Sequence, residues 1–327
     1  MTLESPSLKA LTHELRSRRE LELKQDIQIV ARAFGRESVS AWFPSSQPIQ
    51  NGDDATALPG GDGYVLFAAE GMRPEFVAAD PWFAGYCSVM VNLNDIAAMG
   101  GRPWAIVDVL FLGNGENQRL LEGMTAASAA FGVPIVGGHT TRIASPTLLA
   151  AAVVGRAQRL ISSAEAKPGQ VIVAAIDLNG SFRGNGGNFN AATAAASHAL
   201  RKKLGLLPAL AERGLVRAGK DISMAGTCGT LLMLLESAGC GAELDLARLP
   251  APAEVDALRW LCAFPSYGFL LAVDEADVAE VCEAFAEVEV SAAAVGRLTH
   301  TRRLDLLLGR ERAVYWDLNE SALTGFG

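Results

Sequence analysis

The chain has 327 residues, 50% of them hydrophobic, which is enough for two domains with substantial cores. Its 28 basic and 36 acidic residues give a net charge of -8 and form no basic stripe, which argues against nucleic-acid binding. The five cysteines lack CxxC spacing, which argues against structural zinc, and no apolar run approaches the roughly 18 residues of a membrane helix. We therefore expect a soluble cytoplasmic protein that binds neither nucleic acid nor membrane.

The first 40 residues are predicted to form an N-terminal helical lead-in (1–40). Residues 8–34 carry apolar side chains among charges at roughly helical spacing, which indicates one or two amphipathic surface helices. A break is predicted at Trp42-Phe43-Pro44 and at Pro48. We expect the first domain to cover residues 41–160.

The motif Gly52-Asp53-Asp54-Ala55 precedes a predicted β-hairpin, in which Ala55–Leu58 and Tyr64–Ala69 flank a turn rich in Gly. Acids in such a position can cap the local backbone, and they can also bind a hard cation. Neighbouring side chains of an extended segment point in opposite directions. At most one of Asp53 and Asp54 is therefore expected to face a metal directly, with the other behind it or on a second ion.

A long helix is predicted over residues 80–100, ending at Gly100-Gly101. It carries the second acidic motif, Asn94-Asp95-Ile96-Ala97-Ala98-Met99. Asp95 lies near the C-terminal end of the helix, where the macrodipole disfavours an anion by about 0.3–1 kcal/mol. This position suggests a compensating cation, and the alternative is an exposed acid on a solvated helix end.

Further strands and a helix are predicted to complete the first domain, at Trp104–Leu112, Gln118–Gly132, Pro134–Val136 and Thr147–Gly155. The segment Gly137-Gly138-His139-Thr140 is predicted to be a turn after the third of these. Open α/β structures present backbone amides and functional side chains to ligands at such turns. His139 is either functional there or an ordinary hydrogen-bonded loop histidine.

The second domain is predicted to cover residues 161–327 and to open with the strand Val171–Ile176. A loop over 179–190, rich in Gly and Asn, then leads into an Ala-rich helix predicted over 191–204. Its donors and the following helix N-terminus could cradle a phosphate, with Arg183 as the anion partner. The loop matches neither a Walker A motif nor GxGxxG, and a flexible surface loop is the alternative.

A third acidic motif, Lys220-Asp221-Ile222-Ser223, precedes a helix predicted over Thr227–Ser237. Mg²⁺ binds through one or two carboxylates together with waters and substrate phosphates. Aspartates from three separated turns would meet this need if their loops converged. The three motifs together predict a site for Mg²⁺ and a nucleotide.

These motifs, in this order, resemble those of the superfamily that contains aminoimidazole ribonucleotide (AIR) synthase, thiamine-monophosphate kinase, selenophosphate synthetase and a hydrogenase-maturation dehydratase. The resemblance covers about residues 45–310, and Lys167-Pro168-Gly169-Gln170 is similar to the domain junction. It implies a PurM-like two-domain α/β (α+β) fold, with an N-terminal sheet that forms a barrel across a homodimer interface and a C-terminal α/β domain. It also implies ATP and Mg²⁺ as cofactors, with ATP in the cleft.

Several positions depart from the named members of that superfamily. Glu70 stands where the kinase-like members carry Asp, and His139 replaces the aspartate of the kinase's central turn. Met224 and Gln170 replace acids of the second-half motif and of the junction. No reactive Cys precedes the first acidic motif, and Thr324-Gly325-Phe326-Gly327 lacks the terminal Cys of the hydrogenase-maturation member.

The resemblance implies an ATP- and Mg²⁺-dependent phosphotransferase or ligase that phosphorylates or activates an oxygen of an unidentified small molecule. The alternative is a non-catalytic nucleotide-binding or scaffold homologue, from which ATP consumption would distinguish it. The implied metal ligands are Asp53, Asp54, Glu70, Asp95 and Asp221. The implied nucleotide contacts are Asp53, Asp54, Asn94, Asp95, Gly137, Gly138, Thr140, Gly184, Gly186 and Gly187. The implied substrate or phosphate contacts are His139 and Arg183.

Overall fold

The computed structural model describes residues 7–35, 43, 49–143, 145–184 and 186–327. Trp42, Pro44 and Pro48 of the predicted break lie outside the described residues, and so does Asn185 of the predicted loop. The chain divides into two compact units. The first-sheet unit contains residues 54–159 and 195–209, and the second-sheet unit contains 160–194, 210–327 and the described residues up to 53. Both units combine a sheet with helices, so the predicted mixed α/β fold is confirmed.

Three short helices begin the described chain: α1 (Leu8–Arg16), α2 (Arg19–Gln25) and α3 (Ile27–Phe34). The sequence predicted one or two. The leucines of α1 form one buried stripe, and Leu11 is fully inaccessible. This stripe joins the core of the second-sheet unit, because an amphipathic helix buries the face on which its apolar residues repeat.

The first-sheet unit is built around a five-stranded sheet. Its elements are β1 (Thr56–Gly60), β2 (Gly63–Met72), α4 (Pro74–Ala79), α5 (Pro81–Ala98), β3 (Arg102–Leu112), α6 (Asn117–Phe131), β4 (Ile135–Arg142), β5 (Leu148–Ala157) and α7 (Ser197–Leu204). The strand order is β1-β2-β5-β3-β4, and only β3 and β4 pair in parallel among these described strands. The predicted hairpin and the predicted long helix are both confirmed.

The two faces of this sheet differ in what covers them. Helix α5 packs against β2, β3 and β5, and α6 packs against α5. On the helix face, Leu66, Ile106 and Leu110 are almost wholly buried. The opposite face, which we call the open face, carries apolar side chains that are between 37% and 44% exposed: Phe67, Val107, Val109 and Leu148.

The prediction of a turn at Gly137-Gly138-His139-Thr140 is wrong, because these residues lie in the middle of β4. Each of them pairs in register with β3, from Val107 opposite Gly137 to Leu110 opposite Thr140. A Gly-Gly pair is a turn signal when a positive φ is needed. Neither glycine has a positive φ here, and pairing with β3 keeps the segment extended.

The second-sheet unit contains ten strands in the described residues. They are β6 (Val171–Ile176), β7 (Ser181–Phe182), β8 (Asn188–Asn190), β9 (Ala218–Asp221), β10 (Gly241–Asp245), β11 (Phe264–Pro265), β12 (Gly268–Val273), β13 (Ser291–Thr299), β14 (Arg303–Leu308) and β15 (Glu311–Asp317). The main sheet has the order β15-β14-β10-β13-β6-β12-β9, and a small sheet has the order β11-β8-β7. Strand β6, predicted with these bounds, is buried along its whole length.

Helices α8 (Leu206–Glu212), α9 (Gly226–Ala238), α10 (Ala257–Leu261) and α11 (Val278–Ala286) follow in the second half, with 3₁₀ turns at Ser163–Glu165, Leu246–Arg248 and Glu275–Asp277. No helix within the described ranges is long and apolar enough to cross a membrane. The cysteines form no disulfide, and burial raises the pKa of the Cys240 and Cys262 thiols to about 11. The thiols therefore stay protonated near neutral pH, as buried reduced cysteines do.

The prediction of a helix over 191–204 is correct only for Ser197–Leu204, which is α7. Asn190 interrupts the first part: its Oδ1 accepts hydrogen bonds from the backbone N–H groups of Ala192 and Thr193, at 3.1 and 3.2 Å. Such Asx turns compete with helix formation even beside alanines. No helix therefore begins in the described residues 191–196 directly after the Gly-rich loop, and α7 begins only at Ser197.

Candidate functional site

Asp53 is held by two serines of the second-sheet unit. Ser162 Oγ donates to Asp53 Oδ2 at 2.6 Å, and the Ser163 backbone N–H lies 3.1 Å from both carboxylate oxygens. Ser162 also caps the 3₁₀ turn Ser163–Glu165. Charge-assisted hydrogen bonds of this kind fix a carboxylate firmly. Asp53 therefore has a structural task at the first acidic motif.

Asp54 and Glu70 lie at the same end of the β1–β2 hairpin. The register pairs Thr56 with Phe67, so Asp54 precedes the first pair and Glu70 follows it on the partner strand. Asp54 is half-buried and Glu70 is exposed. The hairpin thus brings two of the predicted metal ligands to one end of the sheet.

A row of register partners crosses four neighbouring strands: Glu70, Ala151, Asp108 and Gly138. Directly opposite residues in a sheet point to the same face, and Ala151 is buried on the helix face. The carboxylates of Glu70 and Asp108 therefore lie on that face, on either side of Ala151. Burial raises the pKa of the Asp108 carboxyl.

Asp108 is a candidate site residue that the sequence reasoning missed. The signal was present, because Asp108 is the one acid inside the apolar strand predicted over Trp104–Leu112. Its carboxylate also explains Gly138: a Cβ at Gly138 would lie 2.6 Å from Asp108 Oδ1 and 2.5 Å from the Asp108 carbonyl oxygen. The glycine leaves room for the acid.

His139 lies on the other side of the sheet from this row. It pairs with Val109, whose side chain is on the open face, and its ring centroid is 6.4 Å from that of Phe111. His139 is exposed. The structure therefore separates His139 from Glu70, whereas Thr140, next along β4, returns to the helix face.

Asn94 and Asp95 occupy the last turns of α5 and are only 6% and 5% exposed. The helix ends in the predicted way: Gly100 has a φ of +75°, and the Gly101 N–H donates to the Ile96 carbonyl at 2.8 Å. The alternative of an exposed acid on a solvated helix end is wrong for Asp95. A buried carboxylate at the negative end of a helix dipole needs positive charge or donors around it.

Asp221 is the last residue of β9 and is half-buried. The strand pairs with β12 up to Asp221 opposite Phe269, and the Ile222 N–H donates to the Gly268 carbonyl at 2.8 Å. The preceding Lys220 is only 5% exposed. A buried lysine beside a predicted metal ligand is a second residue that the sequence reasoning did not single out, although it stood in the quoted motif.

The Gly- and Asn-rich segment contains a short β7–β8 hairpin, and side-chain hydrogen bonds hold both of its ends. At its start, Asp177 accepts hydrogen bonds from the backbone N–H and side-chain amide of Asn179, each at 3.0 Å. At its end, Ser266 Oγ accepts from the Ala191 N–H and donates to the Phe189 carbonyl. Strands β7 and β8 pair between these two anchors.

Contacts among aromatic rings stabilise this hairpin. Phe182, Phe189 and Trp260 form edge-to-face pairs, with ring centroids 5.0 to 6.2 Å apart. The Arg259 guanidinium lies 3.9 Å from the Phe182 ring centroid and donates to the Gly184 carbonyl at 3.2 Å. Arg259 of α10 therefore contacts the hairpin at the residue next to Arg183, whose backbone N–H donates to the Asn188 carbonyl.

The three tip glycines have different reasons to be glycine. Gly184 has a φ of +69°, and a Cβ at Gly187 would lie 2.9 Å from the Cys262 carbonyl and the Phe264 ring. Gly186 has neither constraint, because a Cβ there would meet no described atom within 4 Å. Its backbone is thus open to close approach by a ligand.

The spacing of the acidic side chains decides whether they could hold a metal ion by themselves. Among the residues that the structure describes, no three His, Cys, Asp or Glu side chains lie close enough to hold a metal by themselves. The predicted ligands are nevertheless all carboxylates, which suit a hard cation. Mg²⁺ commonly takes only one or two carboxylates and completes its shell with water and phosphate oxygens. The described residues therefore form no dedicated metal cage, and a carboxylate that bound Mg²⁺ here would need water or phosphate oxygens to complete the shell.

Two families of protein domains match most of the chain. The family described as AIR synthase related protein, N-terminal domain, matches residues 52–157. The family described as AIR synthase related protein, C-terminal domain, matches residues 167–309.

Similar proteins are known from bacteria and archaea. An uncharacterised protein of Synechocystis is 45% identical over 93% of this chain and 94% of its own length. An uncharacterised protein of Methanocaldococcus jannaschii is 34% identical over 75% of this chain and 76% of its own length. The solved structure of Thermotoga maritima PurL complexed with ATP has the same fold, with a TM-score of 0.71 at 18% identity. That match covers 94% of this chain, which spans about half (52%) of the PurL chain.

Proposed function

The chain belongs to the AIR synthase-related family, and from this premise we propose that it uses ATP with Mg²⁺ to phosphorylate or activate an oxygen atom of a small molecule. In one form of this reaction, the acceptor oxygen takes the γ-phosphoryl group and ADP leaves. In the other, an amide or carboxylate oxygen is phosphorylated first and then departs as phosphate when a nucleophile replaces it. Both need the same nucleotide site.

The observation that carries the proposal is the burial of Asp95 and Asn94 in the last turns of α5. An acid at this place is disfavoured both by desolvation and by the helix dipole. A bound divalent cation would offset part of this cost, so a buried acid in the second acidic motif supports a metal-binding role for Asp95. The similarity of fold to a PurL structure that contains ATP supports the same reading.

We assign the metal-binding role first to Asp54 and Asp95, and we propose Asp221 as a further carboxylate ligand. Asp53, already bound to Ser162 and Ser163, would hold the motif in place rather than contact the ion directly. Glu70 would be an auxiliary ligand. When bound, Mg²⁺ would neutralise phosphate charge, which is the main electrostatic demand of phosphoryl transfer.

The hairpin tip is proposed to contact phosphate or substrate. Arg183 supplies the cation, and the backbone of Gly184, Gly186 and Gly187 can approach an anion closely. His139 can contact the substrate only if the substrate reaches the open face, because the His139 side chain lies there.

The first test is calorimetric titration with a non-hydrolysable ATP analogue, with and without Mg²⁺. We expect Mg²⁺-dependent binding by the native chain, weakened by at least about 10- to 100-fold in Asp95→Asn, because loss of a residue that only supports a metal ligand already costs that much. Asp62→Asn is the matched control, because Asp62 is an exposed acid in the same unit that pairs with Arg156. A folded native chain that binds no nucleotide would exclude the proposed site.

Consumption of ATP separates the enzyme from the non-catalytic binder. Candidate acceptors with hydroxyl, phosphate, amide or carboxylate oxygens would be screened for release of ADP or phosphate. Acceptor-dependent release that Asp95→Asn abolishes supports the enzyme. Tight Mg²⁺-dependent binding without release by any acceptor class favours the nucleotide-binding homologue.

We also propose that the open face is the homodimer interface. Phe67, Val107, Val109 and Leu148 leave an apolar surface uncovered, which a second sheet of the same kind would bury. Gly71 and Gly137 lie on this face without a positive φ and without any described atom within 4 Å of a Cβ built on them. Glycines that the chain itself does not require suit close approach by another backbone.

A further inference from the structure

Residues 321–327, which we call the tail, fold back onto the second-sheet unit. Trp316 Nε1 donates to the Ser321 carbonyl at 2.7 Å. Gln28 of α3 then donates from Nε2 to the carbonyls of Ala322 and Leu323, at 3.2 and 3.1 Å. The tail is therefore fixed from two sides before its final residues.

Glu236 of α9 binds the tail through its side-chain carboxylate. Its side chain is 2% exposed and accepts backbone hydrogen bonds from Leu323 at 2.8 Å, Thr324 at 2.7 Å and Gly325 at 3.2 Å, and one from the Thr324 hydroxyl. A buried carboxylate is costly unless several donors satisfy it. Four donors from one short segment mean that Glu236 and the tail hold each other in place.

The tail ends against the first acidic motif. Phe326 is 8% exposed, and a Cβ at Gly52 would lie 2.8 Å from both Cβ and Cγ of Phe326. Gly52 also has a φ of +106°, so both the ring and the backbone require glycine there. The next residue, Asp53, is the one that Ser162 and Ser163 hold.

We propose that the C-terminal tail is an internal strap that positions the acidic motif, with Glu236 and Phe326 as positioning residues. Phe326 contacts Gly52 on one side and the two serines hold Asp53 on the other, so both residues are fixed within the second-sheet unit. The strap thereby holds the residue that directly precedes Asp54 in the chain. The consequence for nucleotide binding rests on the proposed function, whereas the strap itself does not.

The strap is tested without nucleotide by amide hydrogen exchange of the segment 49–55 in Phe326→Ala and Glu236→Gln. We expect faster exchange of this segment in both variants, because local opening becomes easier when its anchor is lost. Glu320→Gln is the matched control, an exposed acid just before the tail. Unchanged exchange in two folded variants would overturn the proposal.

The consequence for the site is tested by deleting residues 323–327 and measuring Mg²⁺-dependent binding of the ATP analogue. We expect about tenfold weaker binding, as when support behind a metal ligand is removed. A synthetic peptide of residues 321–327 should restore it, which a merely destabilised chain would not show.

The outcomes separate the two proposals. If exchange rises but affinity does not change, the tail does not position the nucleotide site and that part is overturned. If the native chain binds no nucleotide, the proposed function fails, and the exchange experiment still decides whether the strap exists. If the chain that lacks residues 323–327 does not fold, the affinity for the ATP analogue is measured on Phe326→Ala instead.

Discussion

Asp305 shows how a single charge is kept inside the second-sheet unit. It lies in β14, is 1% exposed, and accepts hydrogen bonds from Arg303 Nη2 at 3.1 Å and Arg312 Nη2 at 2.6 Å. The hydrogen bond with Asp305, together with its negative charge, raises the pKa of the Arg312 guanidinium above its ordinary value. Arg312 also contacts Glu243 at 2.8 Å, so two arginines and two acids form a network across β10, β14 and β15.

We predict that Asp305→Asn lowers the free energy of unfolding by about 1.5–3 kcal/mol, because a neutral buried amide replaces a carboxylate that accepts charge-assisted hydrogen bonds from two arginines. The two arginines are partly exposed and can regain some hydration. The loss of free energy therefore stays below the roughly 3–5 kcal/mol that breaking a fully buried ion pair costs. Urea unfolding measures it. Glu275→Gln is the control: its pair with Arg297 is exposed, so its loss should cost less than about 1 kcal/mol. Equal losses in both variants would contradict the structural role of Asp305.

At the level of elements, neighbouring glycines of β4 should respond differently to the same change. Gly138→Ala would put a Cβ 2.5 Å from the Asp108 carbonyl oxygen, and β4 would have to shift, at about 1–3 kcal/mol. Gly137→Ala meets no described atom within 4 Å and should leave the unfolding free energy of the isolated chain almost unchanged. Thermal unfolding of both variants under conditions that keep the protein monomeric measures the difference. The reverse order would show that the register of β3 and β4 is shifted by one residue.

The same strand shows the limit of prediction from local sequence. The β1–β2 hairpin, α5 and β6 follow from alternation, helical periodicity and Gly stops, all of which act within a few residues. The extended conformation of Gly137–Thr140 depends on pairing with β3, which starts more than thirty residues earlier, as the register shows. The shortened helix α7 was similarly decided by an Asx turn at Asn190 that opposes the preference of alanine for helix.

Across the whole molecule, the candidate site was only partly predictable. The acidic motifs could be found because acids beside Gly and Ala stand out along the chain. Glu70 and Asp108 lie on either side of Ala151 because of the order of the strands in the sheet. The burial of Lys220 depends on the pairing of β9 with β12. The strap joins residues that are 274 positions apart in the chain, as the contact between Gly52 and Phe326 shows. No local pattern contains such information.

The open face leads to a prediction about assembly. If two copies bury this face against each other, light scattering after size exclusion should give the mass of a dimer for the native chain. Val107→Glu should give a folded monomer, because Val107 is 43% exposed in the middle of the face and a charge there would be desolvated by the partner. Leu121→Glu is the matched control, since Leu121 is 40% exposed on α6 and away from the sheet. A native monomer, or a dimer that survives Val107→Glu but dissociates with Leu121→Glu, would place the interface elsewhere.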